Sequence, residues 1–157
     1  MTTSNPLGAT VVFDGENPRT FTAQADEVIS GGHYVVCSGI NDVVGSGLSS
    51  YADGDIKVVL VTDPEKANGI ALNTVAANGY VTVATRGAYL VKCGGSFIPG
   101  TKAELVDHEY AQSLTSGIVP SALFADVPGN KPVGRVMTAA KSGAGAFREY
   151  GLVYFNF

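Results

Sequence analysis

The sequence predicts an all-β fold, a small barrel or sandwich of short antiparallel strands, and three observations support this prediction. Twenty of the 157 residues are glycine, which indicates many turns. Only 15% of the chain is Asp, Glu, Lys or Arg, against about 25% in typical soluble proteins, so charged helix-forming residues are scarce. Several short segments are rich in β-branched residues or alternate between apolar and polar side chains, as strands do.

The length fits one domain of ordinary size. The first ten residues are small or polar and lack periodicity, so residues 1–12 are predicted to form a flexible arm that orders on contact with a partner. Residues 13–157 are predicted to form the β domain. The start has no signal-peptide pattern, and the longest apolar runs are shorter than the ~20 residues that span a bilayer. We therefore expect a protein that is made in a cytoplasm and stays in solution.

Strands are predicted first at residues 20–25, 33–37 and 56–62, with a loop at 42–54. In the middle of the chain, residues 69–73 lead to Asn78-Gly79, a pair typical of the type I′ turn of a hairpin. Residues 80–87 then alternate cleanly, and 88–91 are predicted to form another strand.

The last third of the chain is more ambiguous. Residues 102–114 have both helical spacing and strand alternation, and we favour a hairpin that turns at 107–109. Three prolines in residues 116–132 predict an irregular segment, since each removes a donor from a strand ladder. Strands are predicted at 134–137 and 151–157. The last of these is apolar on both faces, so it should be buried in the core or in a subunit contact.

The charge pattern predicts self-association and argues against nucleic acid as a partner. A neutral surface that nothing covers favours precipitation, so much of this surface is expected to lie against neighbouring subunits. The net charge is −4, and no basic run of even three residues occurs, whereas phosphate binding needs clustered Lys and Arg.

Catalytic and metal-binding patterns are weak. The two histidines, His33 and His108, accompany no recognisable nucleophile motif, and the neighbours of His108 on a strand would point to opposite faces. The segments 53–55 and 143–145 lack the full patterns of a calcium loop and a phosphate loop. Cys37 and Cys93 have no metal-ligand spacing, and cytoplasmic synthesis favours two buried free thiols over a disulfide. We expect a protein that is not an enzyme and has no metal or cofactor.

Four segments together carry a family resemblance: NGIALN at 68–73, GYVTVATRG at 79–87, IPGTK at 98–102 and PVGRV at 132–136. Their order and spacing resemble those of small tailed-virus proteins described as capsid decoration, cement or fibre-like proteins, and residues 28–36 are similar to that family's opening element. The stretches 42–62 and 107–131 are longer than the family pattern needs. The resemblance implies a β-barrel-like subunit, commonly a homotrimer, on the outer surface of an icosahedral virion.

The predicted function is therefore that of a structural virion protein that binds the capsid surface and stabilises contacts between major capsid proteins. Its partners would be copies of itself and the major capsid protein, with no membrane involved. The alternative is a ligand- or carbohydrate-binding β module, although the absence of Trp removes its usual aromatic platform. The arm residues predicted to contact the capsid are Thr2, Thr3, Asn5, Pro6 and Leu7. The residues predicted for the subunit interface are Arg86, Arg135, Tyr154, Phe155 and Phe157.

Overall fold

A computed structural model describes residues 10–13, 19–40, 56–114, 132–141 and 150–157. These residues form ten strands and one 3₁₀ turn (Pro64–Lys66), and they contain no α-helix, so the all-β prediction is confirmed. In chain order the strands are β1 (Thr10–Phe13), β2 (Arg19–Ala25), β3 (Tyr34–Ile40), β4 (Ile56–Leu60), β5 (Gly69–Ala71), β6 (Tyr80–Lys92), β7 (Lys102–Leu105), β8 (Ala111–Ser113), β9 (Gly134–Val136) and β10 (Tyr150–Asn156).

Five strands close into a barrel. The order is β2-β4-β3-β5-β6, and β2 pairs back onto the first half of β6 to complete the ring. All of these pairs are antiparallel except β2 with β4, which is parallel. The barrel interior is filled by one cluster of fully buried side chains, of which three are alanines: Ala23, Ala25, Ile29, Val35, Val58, Ala71, Val81 and Val83. Small residues suit a ring of only five strands, whose interior is narrow.

Strand β6 continues past the barrel and joins a second sheet. Its first half pairs with β2, and its second half pairs with β10 from Arg86 to Lys92. Opposite β2, Arg19 faces Arg86 while Thr20 faces Ala84, so Thr85 is an extra residue on β6. Such a bulge reverses the alternation of side chains along a strand. The reversal explains why Val81 and Val83 fill the barrel, whereas Ala84, Tyr89 and Val91 all belong to the other core cluster.

Gly87 lies two residues after the bulge and has a φ of 137°, a conformation that is essentially restricted to glycine. A Cβ atom built there would lie 2.9 Å from the ring of Tyr89. Glycine is therefore required at this position both by the backbone and by the packing of the second core.

The second sheet has the order β1-β6-β10-β9-β7-β8. The segment that follows β6 returns to the outer edge of β8, where the amide of Gly94 donates to the carbonyl of Ala111 at 2.9 Å and the amide of Ser113 donates to Ser96 at 2.8 Å. This cover satisfies an edge that would otherwise be open to pairing. The molecule thus contains two rings of backbone hydrogen bonds that share β6.

The second core is the larger of the two clusters. It contains Tyr34, Val61, Ala67, Ile70, Ala84, Tyr89, Val91, Cys93, Phe97, Ala103, Leu105, Ala111, Val133, Val136, Val153 and Phe155. Residues of β3 and β5 contribute to it, so the outer wall of the barrel forms one wall of the second core. The two units are packed as one body for this reason.

The structure decides several predictions about individual elements. The hairpin at 107–109 is confirmed, since β7 and β8 pair antiparallel on either side of it. The prediction of a type I′ turn at Asn78-Gly79 is wrong. Such a turn needs a positive φ at both residues; Asn78 has a φ of 68°, but Gly79 is not in the left-handed region. Ala71 instead pairs with Val83 across a longer loop, because residues 74–79 fold back onto Ile29 and Ala25. Residues 80–91 form one strand rather than two.

The predicted arm overlaps the sheet at its end, because Thr10 and Val11 pair with Leu90 and Tyr89 as part of β1. The predicted loop at 42–54 lies outside the described residues, and so does all of the predicted irregular segment at 116–132 except Pro132.

We expect Gly87→Ala to lower the free energy of unfolding by about 2 kcal/mol, since a strained backbone conformation of this kind costs about 1–3 kcal/mol in other residues. Urea denaturation followed by circular dichroism measures this loss. Gly39→Ala is the matched control, because Gly39 is exposed in β3 and a Cβ there meets no atom within 4 Å. Equal stability of the two variants would contradict the role assigned to Gly87.

Candidate interaction surfaces

The C-terminal strand β10 separates its residues between two faces. Phe155 is fully buried, and its ring stacks on Phe157 with centroids 5.2 Å apart and lies 5.8 Å from that of Tyr34. Phe157 is partly buried against the same cluster. Of the two locations predicted for these aromatic residues, core and subunit contact, Phe155 therefore occupies the core of its own protomer.

Tyr154 points to the opposite face, where it meets two arginines. Its hydroxyl accepts a hydrogen bond of 2.8 Å from Nε of Arg86. Arg135 lies directly across from Tyr154 on β9, and its Nη1 donates to the carbonyl of Gly100 at 2.7 Å. Three of the residues predicted for the subunit interface are thus brought together on one sheet face.

Two further cations extend this group across the sheet. Arg19 on β2 lies directly opposite Arg86, and Lys102 on β7 lies directly opposite Arg135. Directly opposed residues of an antiparallel pair share a face, so Arg19, Arg86, Arg135 and Lys102 form what we call the cationic band. It crosses the five adjacent strands β2, β6, β10, β9 and β7, a width of roughly 19 Å at the usual strand spacing. Arg86 is half-buried, and the other three are exposed.

Carboxylates within the described part of the protomer do not neutralise the band. The three ion pairs found there involve Lys57, Lys66 and Lys92, paired with Asp26, Asp63 and Glu109. Glu104 shares its face of β7 with Lys102 but is buried, and its carboxylate accepts a hydrogen bond of 2.8 Å from Gln112. Burial raises the pKa of Glu104.

The band adjoins an apolar patch on the same face. Leu90 and Leu152 lie directly opposite each other on β6 and β10, and Leu90 is 45% exposed. The exposed Met137 is next to them, since its amide donates to the carbonyl of Leu152 at 2.8 Å. Cations beside exposed aliphatic side chains are typical of surfaces that contact other proteins.

Comparison with solved structures identifies a phage protein of the same architecture. The N base of the head fiber protein gp8.5 of bacteriophage phi29 matches 88% of this chain and 94% of its own, with a TM-score of 0.52 and 13% sequence identity. The two proteins share a fold. No protein-family model matches the chain, and neither does any curated protein sequence.

The two histidines, which are far apart in the sequence, form a second cluster. Their ring centroids are 5.3 Å apart in an edge-to-face arrangement, and the amide of Tyr34 donates to the carbonyl of His108 at 2.8 Å. Nearby, Lys92 donates to Glu109 at 2.5 Å. Burial lowers the pKa of His33, whose Nδ1 is buried and finds no hydrogen-bond partner among the described residues. This cluster joins the start of β3 to the β7–β8 turn.

The remaining chemical candidates lie apart from one another. Within the described ranges, no group of three or more His, Cys, Asp or Glu side chains is placed to hold a metal ion. Neither Cys37 nor Cys93 is in a disulfide; Cys93 is buried, as predicted, but Cys37 is exposed rather than buried. The segments 53–55 and 143–145 lie outside the described residues, as do Thr2, Thr3, Asn5, Pro6 and Leu7 of the predicted arm. No helix in the part of the chain that was described is long and apolar enough to cross a membrane.

The sequence analysis named Arg86, Arg135 and Tyr154, which the structure places on this face, but it did not name Arg19 and Lys102. Each of these two residues is an isolated cation in its own segment. They join the band only through the β2–β6 and β7–β9 registers, and no local pattern in the sequence encodes either register.

We expect Phe155→Ala to destabilise the isolated protomer by about 3–5 kcal/mol, the usual cost of truncating a buried phenylalanine. Phe157→Ala should cost less, because that ring is only partly buried. Thermal unfolding at a low protein concentration, where subunit contacts do not contribute, measures both effects. A Phe155→Ala protein with wild-type stability under these conditions would show that the ring acts between subunits instead.

We expect His33 to make stability depend on pH just below neutrality. Its pKa in the folded protein is lower than the ordinary value of 6.5, so protonation favours the unfolded chain, and stability falls as the pH drops below about 6.5. Glu109 acts in a lower range, because Lys92 lowers its pKa below 4.5. Urea midpoints of the wild type and His33→Gln, compared between about pH 7.5 and about pH 5.5, isolate the histidine. Parallel curves for the two proteins would contradict this assignment.

Proposed function

We propose that this chain is a non-enzymatic structural protein of a tailed-virus particle, located on the outer surface of the icosahedral head. The single observation that carries the proposal is the fold that it shares with the N base of a phage head fiber, over 94% of that base. The resemblance of four sequence segments to decoration and fibre-like proteins supports the same class independently of the fold.

In this role the protein binds the major capsid protein, stabilises contacts between neighbouring capsid subunits and associates with itself as a homotrimer. Two structural features support a binding role. Five strands close into the barrel, and the outer edge of β8 is covered by the segment after β6. Side-chain surfaces are therefore favoured over strand edges as sites of contact. One such surface combines the cationic band with exposed aliphatic residues.

The proposal is tested on particles of the virus that carries this gene. Recombinant protein is added to particles lacking the gene product, and binding is followed by cosedimentation and by electron cryomicroscopy of the shell. We expect the protein to sediment with the particles and to add density to the outer surface at symmetry-related positions. Protein that stays unbound, together with wild-type particles that lack it, would overturn the proposal.

The N-terminal arm supplies a second test. Deletion of residues 1–9 should leave the fold and the self-association intact, since β1 begins at Thr10, while binding to the shell weakens at least about tenfold through the loss of a contact segment. Replacing residues 1–9 by a Gly/Ser segment of equal length is the control for chain length. Unchanged shell binding by the deletion variant would contradict the role of the arm and would leave the rest of the proposal standing.

A further inference from the structure

Within the described part of a single protomer, the cationic band is an unfavourable arrangement of charges. It contains two pairs of like charges, Arg19 with Arg86 and Lys102 with Arg135, each directly opposed across neighbouring strands. Like charges in this arrangement are destabilising. In the whole chain acidic residues outnumber basic ones by 14 to 10, so countercharges are available in the sequence. The described part of the fold nevertheless leaves the band without one.

Two of the four side chains of the band are held in place within the protomer. Nε of Arg86 is engaged by Tyr154, and Nη1 of Arg135 is engaged by the carbonyl of Gly100. Each guanidinium has five N–H donors, and the described residues engage one donor of each arginine by a side-chain hydrogen bond. A side chain that is already fixed loses less rotamer freedom when it binds, and a planar guanidinium suits a carboxylate.

From this geometry we infer that the cationic band is the surface through which one copy of the chain docks onto a carboxylate-bearing surface of a second copy. The inference rests on the proposed function and specifies its self-association. The charge balance supports a second copy as the occupant. Removing the four band residues from the count leaves 6 basic residues against 14 acidic ones, so the rest of each copy is strongly negative and attracts the band of its neighbour.

The sign of the band restricts the type of contact. Two cationic bands placed face to face across a twofold axis would repel each other. This repulsion is avoided by a heterologous contact, with the band of one copy against a different surface of the next, or by a twofold contact in which each band meets a carboxylate-bearing patch beside the axis. Heterologous contacts close into rings when the rotation between copies allows it, and a trimer is one such ring.

The test uses the full-length protein and two matched charge reversals. Arg135→Glu reverses an exposed cation of the band. Lys66→Glu reverses an exposed cation in the 3₁₀ turn, whose side chain is 73% exposed. Sedimentation velocity over a dilution series measures the concentration of half-dissociation. We expect Arg135→Glu to raise this concentration at least about tenfold, with Lys102→Glu acting similarly and Lys66→Glu leaving it unchanged. Circular dichroism confirms that all three variants fold.

Salt gives an independent measurement on the wild type. Exposed charges are screened within about 10 Å at 0.1 M salt and within about 3 Å at 1 M, so raising the salt between these limits should weaken the assembly of the wild type more than that of Arg135→Glu. Equal salt dependence in the two proteins would count against the band.

The outcomes separate this inference from the proposed function. A wild type that is monomeric at every concentration but still binds particles overturns the inference alone. So does an Arg135→Glu protein that assembles normally, and if that variant also fails to bind particles, the band faces another polypeptide instead. A protein that self-associates through the band but never binds particles supports the inference and overturns the proposed location.

Discussion

The shared strand β6 is the constraint on which the rest of the structure depends. A strand of 13 residues takes part in both rings. A regular strand would direct its odd-numbered side chains to one face throughout, whereas the barrel and the second core lie on opposite faces of β6. The extra residue at Thr85 reverses which face the odd-numbered side chains point to, and Gly87 has a backbone conformation that other residues tolerate poorly. Because of these two features, Val81 and Val83 fill the barrel while Tyr89 and Val91 fill the second core. Both cores are fixed relative to each other by one continuous backbone.

The same bulge determines where the band lies. It places Arg86 opposite Arg19 and on the face that, further along β6, carries Leu90. Without the extra residue, the side chain of Arg86 would lie on the same face of β6 as that of Ala84. It would then point toward the second core, where an unpaired charge is very costly. The position of the cations at the surface and the apolar packing beneath them therefore have a common origin. A change at Thr85 or Gly87 should disturb both at once.

Much of the fold could be predicted from local sequence, and the reason is visible in individual segments. Residues 20–25, 56–60 and 151–156 have alternating or β-branched patterns, and each is a strand. The prediction of a turn at 107–109 was correct because Asp107 is followed by polar residues. Its carboxylate accepts hydrogen bonds from the amides of Glu109 and Tyr110. The prediction of a type I′ turn at Asn78-Gly79 was wrong because residues 74–79 form backbone hydrogen bonds to Ile29 and Ala25. Long-range hydrogen bonds overrode a strong local preference there.

The candidate surface was less predictable than the fold, because the pairing register between strands decides which cations lie side by side. A cation on a strand carries no local mark of which residue will lie opposite it, and the four band residues come from four separate segments of the sequence. The sequence did show that charged residues are few, so that each charged side chain makes up a larger share of the charge on the surface. In such a chain, four cations placed side by side are a large part of the charge on the described sheet face. Under the proposed function, a contact of this kind is repeated by every copy on the shell, so that modest individual affinities combine into stable attachment.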